Sequence, residues 1–480
     1  MILTNTRFTR GLPFLLSAIG LIGAVAHGIA SATGSLSNEY LGVWFAGILF
    51  WQGCELYLVL HKVTSWRRTG LLYFALLSLI SLATVIAYIY AQDAIGIGWN
   101  IVIVLAFLVI FFTLLRINKG QYETLSAPTA KLHCCLTVIR VACRVFILFI
   151  LCLLFAGAIG AAIPKSFPMP GQLVPVTMTD GRKTNLHAYC TGPTNSGKPT
   201  FWFLSSPAHG VVDFYGVQTY LSRANRRACT LDMPGFGWSD PVLANQQDPL
   251  IYLKPMIDAA NAAMGNGNDA ILVGWGAGGE TAIRYLRSSI QSTTRVTGIM
   301  FVTVYPEIQG TASYASVSDL QGRIGLANII LGLAIPWGLM PVFFPPNSVP
   351  KGYFPPEKAA EFRVQLWTSK SWINQREGIK HQIQTFGQPS ALQTFTPAVS
   401  VPLAHVYCNL SDAQVCERPG VKDCPKAQQE NRLAVQEQVR VTNGLQSNAR
   451  LIGNTDLDCS LDMPVSKPEY TAAKILEAFP

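Results

Sequence analysis

The residues most able to carry chemistry lie at 274–278, which read Gly-Trp-Gly-Ala-Gly. An apolar run at 270–273 precedes them and a helix-forming segment follows, so the sequence predicts a strand, a sharp turn and a helix. A nucleophile elbow has this architecture and the pattern Gly-x-Ser-x-Gly, whose serine attacks an acyl carbon. Here Gly274 and Gly278 keep the outer positions, but the central residue is Gly276. Because Gly276 has no side chain, it cannot act as a nucleophile.

Two further motifs frame this segment. Residues 232–239 read Asp-Met-Pro-Gly-Phe-Gly-Trp-Ser, which is similar to the Asp-x-Pro-Gly-x-Gly-x-Ser turn of the α/β-hydrolase superfamily. Residues 301–307 are similar to the strand and the Pro-Glu exit that follow the elbow helix in that family. From about residue 165 onward the chain therefore resembles an α/β-hydrolase-fold domain. The resemblance implies a doubly wound, mostly parallel sheet, which the alternation of predicted strands and helices also favours.

The resemblance also implies a serine, an acid and a histidine in that chain order. Asp412 matches the acid, and Asp458 stands where the family carries the histidine. None of the seven histidines follows His405, so no general base occupies the usual place. With two of the three roles vacant, the resemblance indicates a degenerate, non-catalytic member of the superfamily.

A loop containing His209 and Gly210 follows the predicted strand at 200–205. In active members the corresponding loop lends one N–H group to the oxyanion hole, and the residue after the nucleophile, here Ala277, lends the other. A plain surface loop is the alternative interpretation of this segment.

Three functions are compatible with these residues. The first is a pseudoenzyme that binds or scaffolds a partner. The second is an active hydrolase of esters or lipids with a rewired site, which would need another nucleophile such as Ser205, Ser206 or Cys459. The third is a transporter-type membrane protein in which the hydrolase-like domain is an accessory.

The composition indicates a membrane protein, since 50% of the 480 residues are hydrophobic and only 13% are charged. Five apolar segments are long enough to span a bilayer. They lie at about 11–30, 41–60, 70–91 and 98–115, with a fifth ending near residue 163. We therefore predict a transmembrane domain of about five helices at 1–163 and an α/β-hydrolase-like domain at 164–480. The net charge of +9 is spread thinly, and without a block of Lys and Arg a nucleic-acid partner is not expected.

The basic residues between the apolar segments predict the topology. They lie before the first segment, between the second and third, and between the fourth and fifth, whereas the other two loops carry Glu39 and Asp93. By the positive-inside rule the N-terminus is cytoplasmic and the C-terminal domain is lumenal or extracellular. A cleaved signal peptide is the alternative for the first segment, and it leaves the domain on the same side.

A long insertion at 307–396 interrupts the predicted sheet. Its apolar part at 324–344 is long enough to span a bilayer, but Pro336 and Pro341 break it, and a single span would move the last strands to the wrong side. The insertion is therefore predicted to be a lid over the carboxyl edge of the sheet, with a lipid or a protein as possible ligand beneath it. Such a lid could also touch the bilayer.

Six cysteines fall in the C-terminal domain, which in an oxidising compartment allows up to three disulfides. Cys416 and Cys424 bracket a short polar loop and form the easiest pair, whereas Cys190 and Cys229 are open between a disulfide and buried thiols. No paired Cys-x-x-Cys motifs occur, so a metal site is not expected. Residues 192–199 nearly match a phosphate-binding loop, but Pro199 replaces its hydroxyl residue, and no cofactor is expected.

One ionisable residue, Glu55, lies inside the second predicted span. An unpaired carboxylate at that depth costs on the order of 3 kcal/mol, so it is predicted to have a cationic partner. Arg140 and Arg144 enter the fifth segment from the same side and share one helix face. The sequence therefore predicts an intramembrane ion pair between Glu55 and one of these arginines.

Overall fold

The computed structural model describes a large part of the chain. The described residues are 16, 22, 44, 47–52, 68–91, 101–108, 130–179, 181–194, 196–205, 209–240, 250–303, 317–345, 361, 364–384, 399–417, 423–454 and 463–480. They divide into two compact units, one helical and one α/β.

The helical unit consists of Met1–Pro168, Asn328–Pro345 and Leu366–Ser369. Its long helices are α1, Arg68–Ala91, and α2, Ala130–Ser166, which pack on each other. Within the described residues, the segment Val141–Pro164 of α2 is long and apolar enough to cross a membrane, and Leu76–Ala87 of α1 is a shorter apolar stretch.

The five predicted spans differ in how much of each lies within the described residues. Two of them correspond to α1 and α2, a third contains a helical stretch at 101–108, and most of the others lies outside the described residues. The predicted exit from the membrane at residue 164 falls inside α2, which continues to Ser166. The hydroxyl of Ser166 donates a hydrogen bond to the Ile163 carbonyl over 2.7 Å within this last turn.

The α/β unit contains an eight-stranded sheet in the order β1-β2-β4-β3-β5-β6-β7-β8. The strands are β1 Gln172–Thr177, β2 Lys183–Thr191, β3 Thr200–Leu204, β4 Ala228–Leu231, β5 Asp269–Trp275, β6 Arg295–Val302, β7 Leu403–Cys408 and β8 Arg450–Asn454. Strands β1 and β2 form antiparallel pairs, and the pairs from β4 to β8 are all parallel. This mostly parallel sheet resembles the α/β-hydrolase fold, in agreement with the α/β part of the predicted fold class.

Alternating residues of the central strands supply two cores, one on each face of the sheet. On β3, Phe201 and Phe203 join one hydrophobic cluster, while Trp202 and Leu204 join the other. Parallel strands covered on both faces need apolar residues at nearly every position, which explains the unbroken run at residues 270–273.

Helices cover both faces of this sheet. They are α3 Val211–Arg223, α4 Leu250–Ala263, α5 Gly278–Arg287, α9 Asp412–Glu417, α10 Cys424–Leu445, α11 Met463–Ser466 and α12 Pro468–Ala478. The helices α6 Val317–Ile329, α7 Met340–Phe343 and α8 Ser369–Gln384 belong to the insertion predicted as a lid. A π-helical turn, Ile330–Ala334, follows α6 directly.

The predicted lid is divided between the two units. Asn328–Pro345 and Leu366–Ser369 group with the helical unit, whereas Pro346–Gln365 and the residues from Lys370 onward group with the α/β unit. The predicted breaks at Pro336 and Pro341 coincide with a turn at 335–338 and with the first turn of α7. The insertion thus contributes residues to both the helical unit and the α/β unit.

Two disulfides are described in the α/β unit. Cys416–Cys424 forms as predicted, and Cys190–Cys229 joins directly opposed residues of β2 and β4. Cys408 is also disulfide-bonded.

Candidate functional site

The predicted elbow is a tight turn between β5 and α5. Strand β5 ends at Trp275 and α5 begins at Gly278. Between them Gly276 has φ of 56°, in the left-handed region, and its carbonyl accepts a hydrogen bond from the Gly279 N–H over 3.2 Å. A side chain at this backbone conformation costs roughly 1–2 kcal/mol, so glycine is the residue that fits it without strain.

The outer glycines of the elbow are required by close approach of the backbone. A Cβ atom on Gly274 would lie 2.5 Å from the Gly279 Cα atom. On Gly278 it would lie 1.9 Å from the carbonyl oxygen of Leu204, at the end of the adjacent strand β3. The chain therefore needs both glycines to seat α5 against the sheet, whether or not the turn carries a nucleophile.

The His209 loop lies beside the elbow. The His209 ring packs edge-on against Trp275 at 4.6 Å between centroids, and its Nδ1 atom is 3.2 Å from Oδ1 of Asp213. The second oxygen of the same carboxylate accepts the Gly210 N–H over 2.7 Å, which caps helix α3. The N–H of Gly210, predicted to face an oxyanion, is thus already bonded to a buried carboxylate.

The candidate nucleophiles of a rewired site are only partly described. The Ser205 hydroxyl is buried and donates to the His209 carbonyl over 3.0 Å. Ser206 and Cys459 lie outside the described residues, as does Asp458 at the histidine position of the triad.

The predicted acid, Asp412, is the first residue of α9. Its carboxylate lies 3.5 Å from Nε of Arg432, with 46% of the aspartate side chain and 59% of the arginine side chain exposed. An exposed pair of this kind contributes little to stability. In the described part of the chain, the residue that pairs with the Asp412 carboxylate is thus an arginine.

A buried polar cluster around Asp232 was not foreseen from the sequence. One carboxylate oxygen accepts the Val211 N–H over 2.8 Å, and the other accepts the Trp238 N–H over 3.1 Å and lies 2.7 Å from His187 Nδ1. The Ser239 hydroxyl donates to the Asp232 carbonyl over 2.7 Å. Asp232 thus joins β2, the start of α3 and the 232–239 turn, and these contacts satisfy the hydrogen-bonding capacity of its buried side chain.

Two glycines near this cluster leave the space that the Asp232 carboxylate occupies. A Cβ atom on Gly237 would lie 2.0 Å from an Asp232 carboxylate oxygen, and one on Gly210 would lie 2.2 Å from the other. The Asp-x-Pro-Gly-x-Gly-x-Ser turn therefore holds the His209 loop in place. The only sequence signal for this role is the turn motif itself, since His187 precedes Asp232 by 45 positions.

Two of the described histidines are unavailable as bases. His187 is fully buried against Asp232, and its Nε2 atom contacts the Pro170 carbonyl. His405 is buried on β7 with Nδ1 2.8 Å from the Thr442 hydroxyl, and burial lowers its pKa to about 3. Among the histidine side chains that the structure describes, His209 is the exposed one, at 33%.

Part of the predicted lid contacts this region of the α/β unit. The Tyr215 hydroxyl on α3 donates to Oε1 of the buried Glu361 over 2.8 Å, and burial raises the pKa of this tyrosine. Lys370 Nζ donates to the Ser239 carbonyl over 2.9 Å. Glu361 and Lys370 therefore lie against α3 and the 232–239 turn, respectively, near the carboxyl end of β4.

Two further predictions concern metal binding and the intramembrane ion pair. No group of three or more potential metal ligands occurs among the described residues. Of the predicted intramembrane pair, Glu55 and the side chain of Arg140 are not described. The Arg144 guanidinium lies 5.2 Å above the centre of the Tyr73 ring, which links α2 to α1.

Comparisons with known proteins reach the fold only. No family model matches the chain, and no curated protein matches it. Similar solved structures include a malate-bound thermophilic esterase from Thermogutta terrifontis, with 16% identity over 64% of this chain and 97% of that chain (TM-score 0.44). An enol-lactonase from Burkholderia xenovorans LB400 has 13% identity over 63% and 98% of the two chains (TM-score 0.42). An epoxide hydrolase of the α/β-hydrolase superfamily from hot-environment metagenomes has 15% identity over 65% and 99% (TM-score 0.43).

Proposed function

We propose that this chain is a membrane-anchored α/β-hydrolase-like protein whose elbow is non-catalytic and whose α/β unit has a binding or scaffolding role. The observation that carries the proposal is Gly276, which occupies the nucleophile position with φ of 56°. The surrounding backbone contacts keep the shape of an elbow, but the residue that the elbow presents has no atom able to attack a substrate.

The neighbouring groups support the same proposal, because each has another partner. The Gly210 N–H is bonded to Asp213, the Ser205 hydroxyl to the His209 carbonyl, and the Asp412 carboxylate is paired with Arg432. In a hydrolase these groups would have to face the reacting carbonyl, the base and the histidine. Its ligand, a lipid or a protein segment, would bind beneath the insertion at 307–396.

The specific observation that favours the alternative, a hydrolase with a rewired site, is the His209–Asp213 pair. His209 is partly exposed, is oriented by a carboxylate and lies beside Trp275 of the elbow. A histidine and carboxylate in this arrangement could serve as a base if a nucleophile outside the described residues approached it.

A fluorophosphonate probe separates the two functions, since it labels activated serines. The wild-type protein should remain unlabelled, and the double variant Gly276→Ser with Asp458→His should gain weak labelling. The variant Gly276→Ala with Asp458→His is the matched control, because it has the same backbone strain without the hydroxyl. Either single change should stay unlabelled, since loss of nucleophile or base alone costs on the order of 10⁶ in kcat in a well-studied serine protease.

Labelling of the wild-type protein would contradict the non-catalytic function. If that labelling disappeared on Ser205→Ala or Ser206→Ala, the rewired hydrolase would be established. A signal that survives both changes but is lost on His209→Gln would place another nucleophile next to the His209–Asp213 pair.

The location of the α/β unit is part of the proposal, with five spans, a cytoplasmic N-terminus and the unit in the lumen or outside the cell. The Cys190–Cys229 and Cys416–Cys424 disulfides support it, because such bonds persist in oxidising compartments. In sealed microsomes the unit should resist added protease until detergent is present. Digestion without detergent would contradict the topology.

A further inference from the structure

The segment Asn328–Pro345 has an unusual combination of composition and position. No charged residue occurs between Arg323 and Lys351, and the segment groups with the helical unit. Both of its ends continue into the α/β unit. By chain connection, the segment leaves that unit and returns to it.

The segment consists of two helical pieces joined by a turn, and it is called the hairpin below. The π-helical turn Ile330–Ala334 extends α6, residues 335–338 form a turn, and α7 follows. Gly338, in the turn at 335–338, has φ of 70°, which favours glycine. The hairpin is therefore a defined turn between two helical arms.

The tip of the hairpin contacts α2 backbone to backbone. A Cβ atom on Gly157 of α2 would lie 2.0 Å from the Pro336 carbonyl oxygen, and one on Gly338 would lie 2.6 Å from the Ala156 carbonyl carbon. Small residues that permit such an approach are typical of helix contacts inside membranes. A Cβ atom on Gly160, one turn further along α2, would meet no atom within 4 Å, so the contact is local to Gly157.

Two tryptophans fix the hairpin from a second side. Trp337 joins the core of the helical unit and lies 5.0 Å from the ring of Trp44. The indole N–H of Trp44 donates to the Gly332 carbonyl over 3.0 Å, which satisfies a hydrogen-bond acceptor of the π-helical turn. Trp44 belongs to the second predicted span, so the hairpin contacts two predicted spans.

The contact with Gly157 fixes how far the hairpin lies from the end of the apolar segment of α2. Pro164 ends the part of α2 that is long enough to cross a membrane, and Gly157 precedes it by seven residues. At 1.5 Å per residue this places Gly157 about 10 Å inside that end. An element that touches Gly157 lies at the same depth along α2.

The surface of the hairpin away from these contacts is apolar. Ile329, Val342 and Phe343 are 59%, 73% and 60% exposed, respectively. Such a surface is unfavourable in water and suited to hydrocarbon. The helix α2, on which the segment packs, also exposes apolar side chains, among them Phe149 and Ile159, so lipid acyl chains are the partner that suits both elements.

We propose that residues 329–343 form a re-entrant hairpin that enters the bilayer hydrocarbon from the side of the α/β unit and docks on α2 at Gly157. The inference rests on the proposed membrane anchoring. Non-helical backbone is tolerated at membrane depth where protein covers it, and the turn at 335–338 is covered by α2. Because the hairpin returns to the side it came from, β7 and β8 stay with the rest of the sheet.

The test uses the full chain in vesicles that contain a lipid with a photoactivatable group at mid-acyl depth, followed by trypsin and mass spectrometry. Three tryptic peptides are compared: 145–165 from α2, 324–351 with the hairpin, and 433–440 from α10. The last contains Leu433, which is 45% exposed and controls for labelling of any exposed apolar residue. The expected result is labelling of the first two peptides and none of the third.

The outcomes separate this inference from the membrane anchor on which it rests. Labelling of 145–165 without 324–351 would overturn the re-entrant hairpin and leave the anchor intact. If neither peptide is labelled, both proposals fall. Equal labelling of 324–351 and 433–440 would also overturn the hairpin, because the label would then report exposure rather than depth.

Docking on α2 is tested with the matched pair Gly157→Ala and Gly160→Ala. Gly157→Ala should lower the Tm of the full chain and cause loss of label from peptide 324–351, because an undocked turn leaves bare backbone in hydrocarbon. Gly160→Ala should keep the wild-type Tm and labelling. The same response in both variants would overturn the docking and the path built on it.

Discussion

At two places in this protein a glycine allows one backbone segment to lie directly against another. The two contacts, called crossings below, present different residues to their surroundings. At the elbow, Gly278 of α5 meets the Leu204 carbonyl of β3, and in the helical unit Gly157 of α2 meets the Pro336 carbonyl of the hairpin. In both places a Cβ atom would collide with backbone. Glycines at such crossings therefore report on packing, and they say nothing about catalysis.

The difference lies in what each crossing presents. The elbow crossing holds a left-handed residue, Gly276, at the carboxyl end of the central strand, where an enzyme would place its nucleophile. The hairpin crossing presents only an apolar surface. For a hydrolase-like chain, the outer glycines of the Gly-x-Ser-x-Gly frame thus indicate the fold, and the central residue alone indicates the chemistry.

The largest expected effect is from Gly278→Ala. The new Cβ atom would lie 1.9 Å from the Leu204 carbonyl oxygen, which cannot move without disturbing the β3–β5 pairing. We expect a loss of about 3 kcal/mol in the free energy of unfolding, because overpacking against a fixed backbone outweighs the gain of about 1 kcal/mol in helix propensity. Thermal or denaturant unfolding of the full chain in detergent measures it.

The matched control for that variant is Gly267→Ala, since no atom lies within 4 Å of the Cβ position there. It should unfold like the wild type. Equal stability of the two variants would show that the crossing is more plastic than its geometry indicates, and the comparison with the hairpin would lose its basis.

A smaller effect is expected from His405, through which the free energy of unfolding of the α/β unit should depend on pH. Burial lowers the pKa of His405 to about 3 in the folded protein, against about 6.5 in the unfolded chain. Between these values the unfolded chain binds a proton that the folded protein does not, so the free energy of unfolding falls as the pH falls below about 6.5. From pH 7 to pH 5 the contribution of this residue amounts to about 2 kcal/mol.

The variant His405→Gln isolates this contribution, because glutamine does not titrate and can still bond to the Thr442 hydroxyl. Its unfolding free energy should decline less than that of the wild type over the same pH range. Parallel declines would mean that the imidazole is protonated as readily in the folded protein as in the unfolded chain.

The smallest effect is expected at the centre of the elbow. Gly276→Ser should lower the free energy of unfolding by about 1–2 kcal/mol, the cost of a side chain in left-handed backbone. Activity-probe labelling should not change, because Asp458 stands at the position that the resemblance assigns to the histidine. If this substitution costs as much as Gly278→Ala, the distinction between packing glycines and the central position fails.

The sequence predicts the elbow well because its signals are local. An apolar run, two glycines and a helix-forming segment occupy consecutive positions, and the sheet then forms with the predicted mostly parallel pairing. The Cys416–Cys424 bond is predicted for the same reason, since only eight positions separate the two residues.

The features that escape prediction depend on residues far apart in the chain. His187 and Asp232 come from different elements, and each alone has the pattern of an ordinary strand or turn residue. The hairpin has its own turn signals, Pro336 and Gly338, but its place is decided by Gly157 in a different helix. Hydropathy and proline positions at 324–344 are compatible with a span, a lid or a hairpin, and the contact with Gly157 is the observation that favours the proposed hairpin.

The Cys190–Cys229 disulfide also bears on the order in which the sheet is assembled. The bond needs only residues that are synthesised before position 230, whereas the elbow strand β5 begins at Asp269. At 5–20 residues per second, roughly 40 residues give an interval of about 2–8 s in which β2 and β4 can be joined, with β3 held in the closed loop. The strand that carries the elbow is synthesised after these three strands, and β3 is the one of them with which it pairs.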